Sequence, residues 1–123
     1  MSESTTKVVN VSKNNQVVVE KLQIANNPWT RFWGLMGKSQ MPIKHYDGLW
    51  IEPCADIHSC FMRFEFDAVF VDKEGNVLHL VEKMKPWRIS KFVRGGRAVL
   101  ELDGGTIAQT NIALGDQLAI QSN

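Results

Sequence analysis

Cysteine is scarce in this chain of 123 residues, which holds only Cys54 and Cys60. Two thiols make at most one disulfide, too few for a covalently stapled scaffold, and such a pair suits a reducing compartment. Both are expected to be reduced packing or spacing residues, because the segment between them runs into a predicted strand that would hold the sulfurs apart. Long apolar runs are missing as well. No stretch approaches the ~18 consecutive apolar residues of a membrane-spanning helix, so no membrane attachment is expected. The opening residues Met1 to Asn10 carry neither the basic nor the apolar region of a secretory leader, which points to the cytoplasm. An excess of one charge is also absent. Fourteen Lys and Arg stand against thirteen Asp and Glu, a formal +1, so the usual electrostatic basis for holding nucleic acid or an anionic membrane is lacking. Only a local patch with Arg94 and Arg97 would speak for nucleic acid, and no nucleic-acid partner is expected. Gly95-Gly96 and Gly104-Gly105 lack the spacing of a phosphate loop and read as turns.

What is present describes a globular domain. Apolar residues make up 44% and charged residues 22%, close to the averages for folded domains. The length fits one domain, here expected over residues 7–121 after a disordered polar stretch at 1–6. Val8-Val9-Asn10-Val11 and Val17 to Leu22 flank the polar segment Ser12 to Gln16 and predict a hairpin. Pro28 opens a predicted helix in which Trp29, Phe32, Trp33 and Met36 form one stripe, with Gly37 as its end. Strands are predicted at Gly48 to Ile51 and Ile57 to Phe66. The hairpin signal is strongest where Asp67 to Asp72 and Val77 to Val81 flank Lys73-Glu74-Gly75-Asn76. Lys83 to Ser90 contains Pro86 and reads as a crossing loop or an edge. Arg97 to Leu102 is a further strand, Thr106 to Asn111 a helical turn capped by Thr106, and Gln117 to Ile120 the last strand. Seven or eight short strands with one or two short helices predict a mostly β, barrel- or sandwich-like domain.

Six pieces in order resemble the domain of unknown function 192 family: Arg31-Phe32-Trp33-Gly34-Leu35-Met36-Gly37, His58 to Phe64, Asp67-Ala68-Val69-Phe70-Val71-Asp72, Lys85-Pro86-Trp87-Arg88, Ala98 to Leu102 with Gly105, and Gly115-Asp116. The resemblance runs from about Lys21 to Leu118. It implies a small, mostly β fold with a short helix after the opening strands, and no established chemistry. The chain departs from the family pattern at Cys60-Phe61, where an aromatic and a small residue are expected, and at Glu65, where proline is expected.

Several polar residues could carry a function. His58, Cys60 and Met62 alternate and would share one strand face. Cys beside His can act as a nucleophile, and the three could hold copper(I), but no orienting group or ligand spacing accompanies them. Packing of Cys60 and Met62 in the core is the simpler account, and neither metal nor cofactor is expected. Glu52, Asp56, Asp67 and Asp72 invite a paired-carboxylate reading whose separation nothing fixes. Asp72 suits a turn-forming role instead. Asp67 opens an apolar strand just after Arg63, so the two are expected to pair. Lys85, Trp87 and Arg88 combine two cations with an aromatic ring, which suits a carboxylate, phosphate or sugar.

The expected function is therefore a non-catalytic binding or accessory domain. Its site would comprise His58, Arg63, Asp67, Lys85, Trp87 and Arg88, with a small polar ligand or a protein partner's segment, and the protein would be a monomer. The alternative is a small hydrolase using His58 with Asp67 or Cys60.

Overall fold

The computed structural model describes residues 6–25, 48–52, 66–84 and 92–122. Within them the chain runs β1 (Thr6–Asn10), a short 3₁₀ turn (Val11–Lys13), β2 (Gln16–Val19), β3 (Leu22–Ala25), β4 (Gly48–Ile51), β5 (Phe66–Val71), β6 (Val77–Met84), β7 (Ala98–Asp103), α1 (Thr106–Thr110) and β8 (Leu118–Ser122). The strands form a three-stranded sheet ordered β2-β1-β8 and a five-stranded sheet ordered β3-β4-β7-β5-β6. The mostly β, sandwich-like architecture expected from the sequence is present, and the described strands do not close into one barrel.

The β5–β6 hairpin forms as expected. Asp72 makes its turn: Oδ1 accepts from the amides of Glu74 and Asn76 at 2.9 Å each, and Oδ2 from the Asn76 side chain at 3.1 Å. The β1–β2 hairpin is present too, but the run Val17 to Leu22 is not one strand. It breaks at Glu20-Lys21, and the chain passes from the small sheet into the large one, where β3 lies parallel to β4. Leu22 and Ile24 alternate with Gln23 and Ala25, a pattern that suits a strand of either sheet, so local pattern could not show that they change sheets.

β7 and β5 lie in the interior of the five-stranded sheet, and β5 is buried throughout. Strands covered on both faces read as continuous apolar runs, which is the composition of Ala68-Val69-Phe70-Val71. One face, with Trp50, Val69, Val71, Leu100 and Leu102, packs with Val8, Val19 and Leu118 of the small sheet and Ile107 of α1. Gly48 permits this approach, since a Cβ there would stand 3.0 Å from the Val19 methyl. The opposite face gathers Leu49, Ile51, Phe66, Ala68, Phe70, Met84, Val93 and Val99 into a second cluster. The predicted helix at Pro28–Met36, the predicted strand entering Phe66, and both cysteines lie outside the described residues.

Candidate functional site

Asp67 is the one residue of the sequence-predicted site inside the described part of the chain. His58, Arg63, Lys85, Trp87 and Arg88 lie outside it, as does Cys60, so the expected Arg63–Asp67 pair is not described. Asp67 itself is fully buried, and its carboxylate braces backbone from two other elements. Oδ1 accepts from the Lys83 amide at 2.8 Å, and Oδ2 from the Ile107 amide at 2.8 Å. The Gly105 amide donates to both oxygens at 3.2 and 3.1 Å. Three backbone donors thus converge on a carboxylate with no exposed surface. Its hydrogen bonds hold the carboxylate in place, which leaves it little of the freedom a base would need.

This brace has local consequences at both ends. In β6 the residues Glu82 and Lys83 stand opposite Asp67 alone, because Phe66 pairs with Met84 and Ala68 with Val81. Such a two-against-one arrangement is a bulge. Lys83 adopts φ 50, a left-handed conformation that is costly for a lysine. The Asp67 carboxylate holds the Lys83 amide there. At the other end, α1 does not use the expected Thr106 cap. Its N-cap is Gly105 at φ 97, and the Thr106 hydroxyl donates instead to the Asp103 carbonyl at 2.8 Å. Asp67 supplies the missing acceptor to the first turn, a side chain from another strand doing what a local Ser or Asp does in most helices.

Chain connectivity gives the bulge a positional meaning. Phe66 and Met84 are cross-strand partners on the face opposite the small sheet. The segment holding His58 and Arg63 enters β5 at Phe66, and Lys85 follows Met84 directly. Both predicted recognition segments therefore attach to neighbouring strands at one end of the large sheet. Asp67 shapes the exit of β6 two residues before Lys85.

The same sheet face holds a residue that sequence reasoning missed. Glu101 sits in β7 with Leu49 and Ala68 as its cross-strand partners. It is completely buried, and among the described residues neither carboxylate oxygen has a hydrogen-bond partner. Burial pushes its carboxyl well above the usual carboxylate range. A neutral carboxylic acid in an apolar setting offers one O–H donor and one carbonyl acceptor, both unspent among the described residues. The signal was present but ambiguous. Val99, Glu101 and Asp103 alternate with Ala98, Leu100 and Leu102, the pattern of a strand with one wet face.

Glu52 and Asp116, by contrast, have partners. The Trp50 indole donates to Glu52 Oε1 at 2.9 Å, and Arg97 Nε donates to Oε2 at 3.0 Å. The Trp50 hydrogen bond, then the Arg97 hydrogen bond and charge, hold the Glu52 carboxyl below its usual range against the effect of burial. Asp116 Oδ2 accepts from the Asn10 side chain at 2.9 Å, from Lys13 Nζ at 2.7 Å and from the Ala113 amide at 2.9 Å. Lys13 also donates to the Asn111 carbonyl. Among the described residues no group of three or more His, Cys, Asp or Glu could hold a metal, and no helix is long and apolar enough to cross a membrane.

A two-sheet β domain whose large sheet buries a carboxyl with no partner among the described residues defines the general class. Its family is specific: residues 8–120 match the model of the domain of unknown function 192 family, an uncharacterized ACR, and the chain belongs to that family. It is 28% identical over 116 residues to a UPF0127 protein of Pyrococcus furiosus, covering 90% of this chain and 95% of that protein. A UPF0127 protein of Thermococcus sibiricus is 29% identical over 116 residues, covering 90% and 72%. Two solved structures share the fold. One, from Sinorhizobium meliloti and provisionally described as a transcription regulator, superposes with TM-score 0.74 at 22% identity over 97% of this chain and 96% of its own. The other, a protein of unknown function from Novosphingobium aromaticivorans, gives TM-score 0.71 at 20% identity over 94% and 83%.

Proposed function

We propose that this protein is a non-catalytic binding domain for a small polar ligand, anchored by Glu101 on the face of the large sheet that carries Leu49, Ala68 and Val99. The observation behind this reading is the Glu101 carboxyl itself. A buried polar group without a partner costs on the order of 1–3 kcal/mol, and such groups in native domains tend to have a role that offsets the cost. A ligand presenting a hydroxyl or carboxamide would take both the donor and the acceptor of the neutral acid, and one presenting a carbonyl would take the O–H donor. Its apolar part would meet the surrounding aliphatic side chains, the usual composition of a small-molecule site. The sequence cluster His58, Arg63, Lys85, Trp87 and Arg88 supplies candidates for the polar rim, since its segments attach at Phe66 and Met84 on this face. Asp67 acts as a positioning residue through the Lys83 bulge. The alternative, a hydrolase using His58 with Asp67 or Cys60, is less favoured in its Asp67 form, because that carboxylate is committed to three backbone amides. The reading includes a cytoplasmic location, in keeping with the low cysteine count.

A thermal-shift screen with small amides, alcohols, ketones and sugars tests this, because a ligand that binds the native state raises its midpoint. The expected result is a midpoint increase for the native chain that vanishes in Glu101→Leu. Equal shifts in both proteins, or none in the native chain, would sink the proposal.

A further inference from the structure

β8 is an edge strand of the small sheet, and its hydrogen-bonding pattern separates used groups from open ones. The Val11 amide donates to the Gln117 carbonyl at 2.8 Å, and Asn10 lies opposite Leu118. In an antiparallel ladder this fixes the alternation. Ala119 and Gln121 turn their amides and carbonyls to β1, whereas Leu118, Ile120 and Ser122 turn theirs outward. The Leu118 amide confirms the assignment, since it donates outward to the Gly75 carbonyl at 2.9 Å. Asn76 bridges Gln117 beside it. Past that point the β5–β6 turn leaves the edge, and an open cleft of about 220 Å³ begins, with Trp50, Lys73, Arg97 and Ile120 on its walls. Among the described residues the outward groups of Ile120 and Ser122 have no partner.

The β6 and β2 edges are guarded. β6 carries a bulge at Glu82 and Lys83, and β2 pairs with β1 through a register shift. Bulges and charges of this kind discourage strand addition. Leu118-Ala119-Ile120-Gln121-Ser122 has no charge, proline or bulge, and its ladder with β1 is regular.

We propose that the β8 edge pairs with the β8 edge of a second copy of this chain, antiparallel about a two-fold axis at Gln121. That register places Ile120 of each protomer opposite Ser122 of its partner as hydrogen-bonded pairs, so every open outward group from 120 to 122 is used. It leaves the Leu118–Gly75 hydrogen bond intact, because the pairing ends before Leu118 is reached. An edge that complements itself is what an isologous contact requires. The two small sheets become one six-stranded sheet, joined by backbone groups alone. The contact is therefore weak and depends on concentration, and it departs from the monomer expected on sequence.

Sedimentation equilibrium from micromolar to millimolar protein tests the pairing, with amide hydrogen exchange followed residue by residue. The native chain should move toward twice its 13.9 kDa protomer mass as concentration rises, with exchange slowing at Ile120 and Ser122. Ile120→Pro and Ser122→Pro each remove one outward amide while sparing the ladder to β1, and each should stay at protomer mass throughout. If Ile120→Pro fails to fold, Ser122→Pro carries the test, as its side chain is exposed and ends the strand. A native chain that remains at protomer mass at millimolar concentration overturns the proposal. So does a dimer that persists in a folded proline variant, or one that leaves exchange at Ile120 and Ser122 unchanged.

Discussion

Asp67 and Gly105 lie 38 positions apart, and the Gly105 amide donates to both oxygens of the Asp67 carboxylate, at 3.2 and 3.1 Å. That contact ties the start of β5 to the start of α1. With the Lys83 amide on the same carboxylate, it also fixes the bulge that ends β6. One side chain thus sets the shape of the sheet end from which both predicted recognition segments depart.

Asp67→Ala should destabilise the domain by about 3 kcal/mol in denaturant unfolding, because it leaves buried amide donors without an acceptor. Asp67→Asn, which retains one side-chain oxygen, should lose less. Amide exchange at Ile107 and Lys83 should quicken in Asp67→Ala. Unchanged exchange at both would show that the brace is not what orders them.

Glu101 makes the stability depend on pH in a calculable direction. Its folded-state pKa is raised above the unfolded value of about 4.3. The folded state then binds the proton more tightly, so the stabilisation is complete below that pH and is lost as pH climbs toward the folded pKa. Glu101→Leu removes the effect. The stability difference between Glu101→Leu and the native chain should therefore widen in favour of the leucine variant from about pH 4 upward. A difference that stays constant between acid and neutral pH would contradict the buried neutral acid.

Asp116 should act in the opposite sense. Its carboxyl is held below the usual range, first by the Lys13 hydrogen bond and then by the Asn10 side chain. The stabilisation is present above the unfolded pKa and is lost as pH falls through the folded one. Asp116→Asn should therefore flatten the acid limb of the stability curve while leaving its neutral-to-basic shape alone. Urea titrations at a series of acid pH values would check this.

Gly75 and Gly115 share a positive φ, 89 and 87, yet should respond differently to alanine. A Cβ at Gly75 would stand 2.1 Å from the Leu118 carbonyl oxygen, whereas nothing lies within 4 Å at Gly115. Gly115→Ala should cost about 1 kcal/mol of backbone strain. Gly75→Ala should cost about 3 kcal/mol or more, since the turn must also separate from β8. Equal midpoints for the two variants would mean that the Gly75–Leu118 contact gives way freely.

Turn chemistry and apolar runs made much of the fold legible. Asp72 followed by Lys73-Glu74-Gly75-Asn76 determines its turn locally, because an aspartate can satisfy amides two and four residues on and glycine tolerates the left-handed position. The runs at Gly48–Ile51 and Ala98–Leu102 become strands for equally local reasons. Other features depended on which surfaces meet. Residues 22–25 look like a continuation of β2, and only the packing of two sheets sends them to β4. Asp67 was legible as a charge at the start of an apolar strand, but the amides of Lys83, Gly105 and Ile107 that donate to it come together only in the folded chain. Nothing in the strand pattern of Arg97 to Leu102 marks Glu101 as buried. Its place in the interior strand β7, between Leu49 and Ala68, buries it. Periodicity reports which side chains share a face; whether that face is wet or covered is decided by segments far away in sequence.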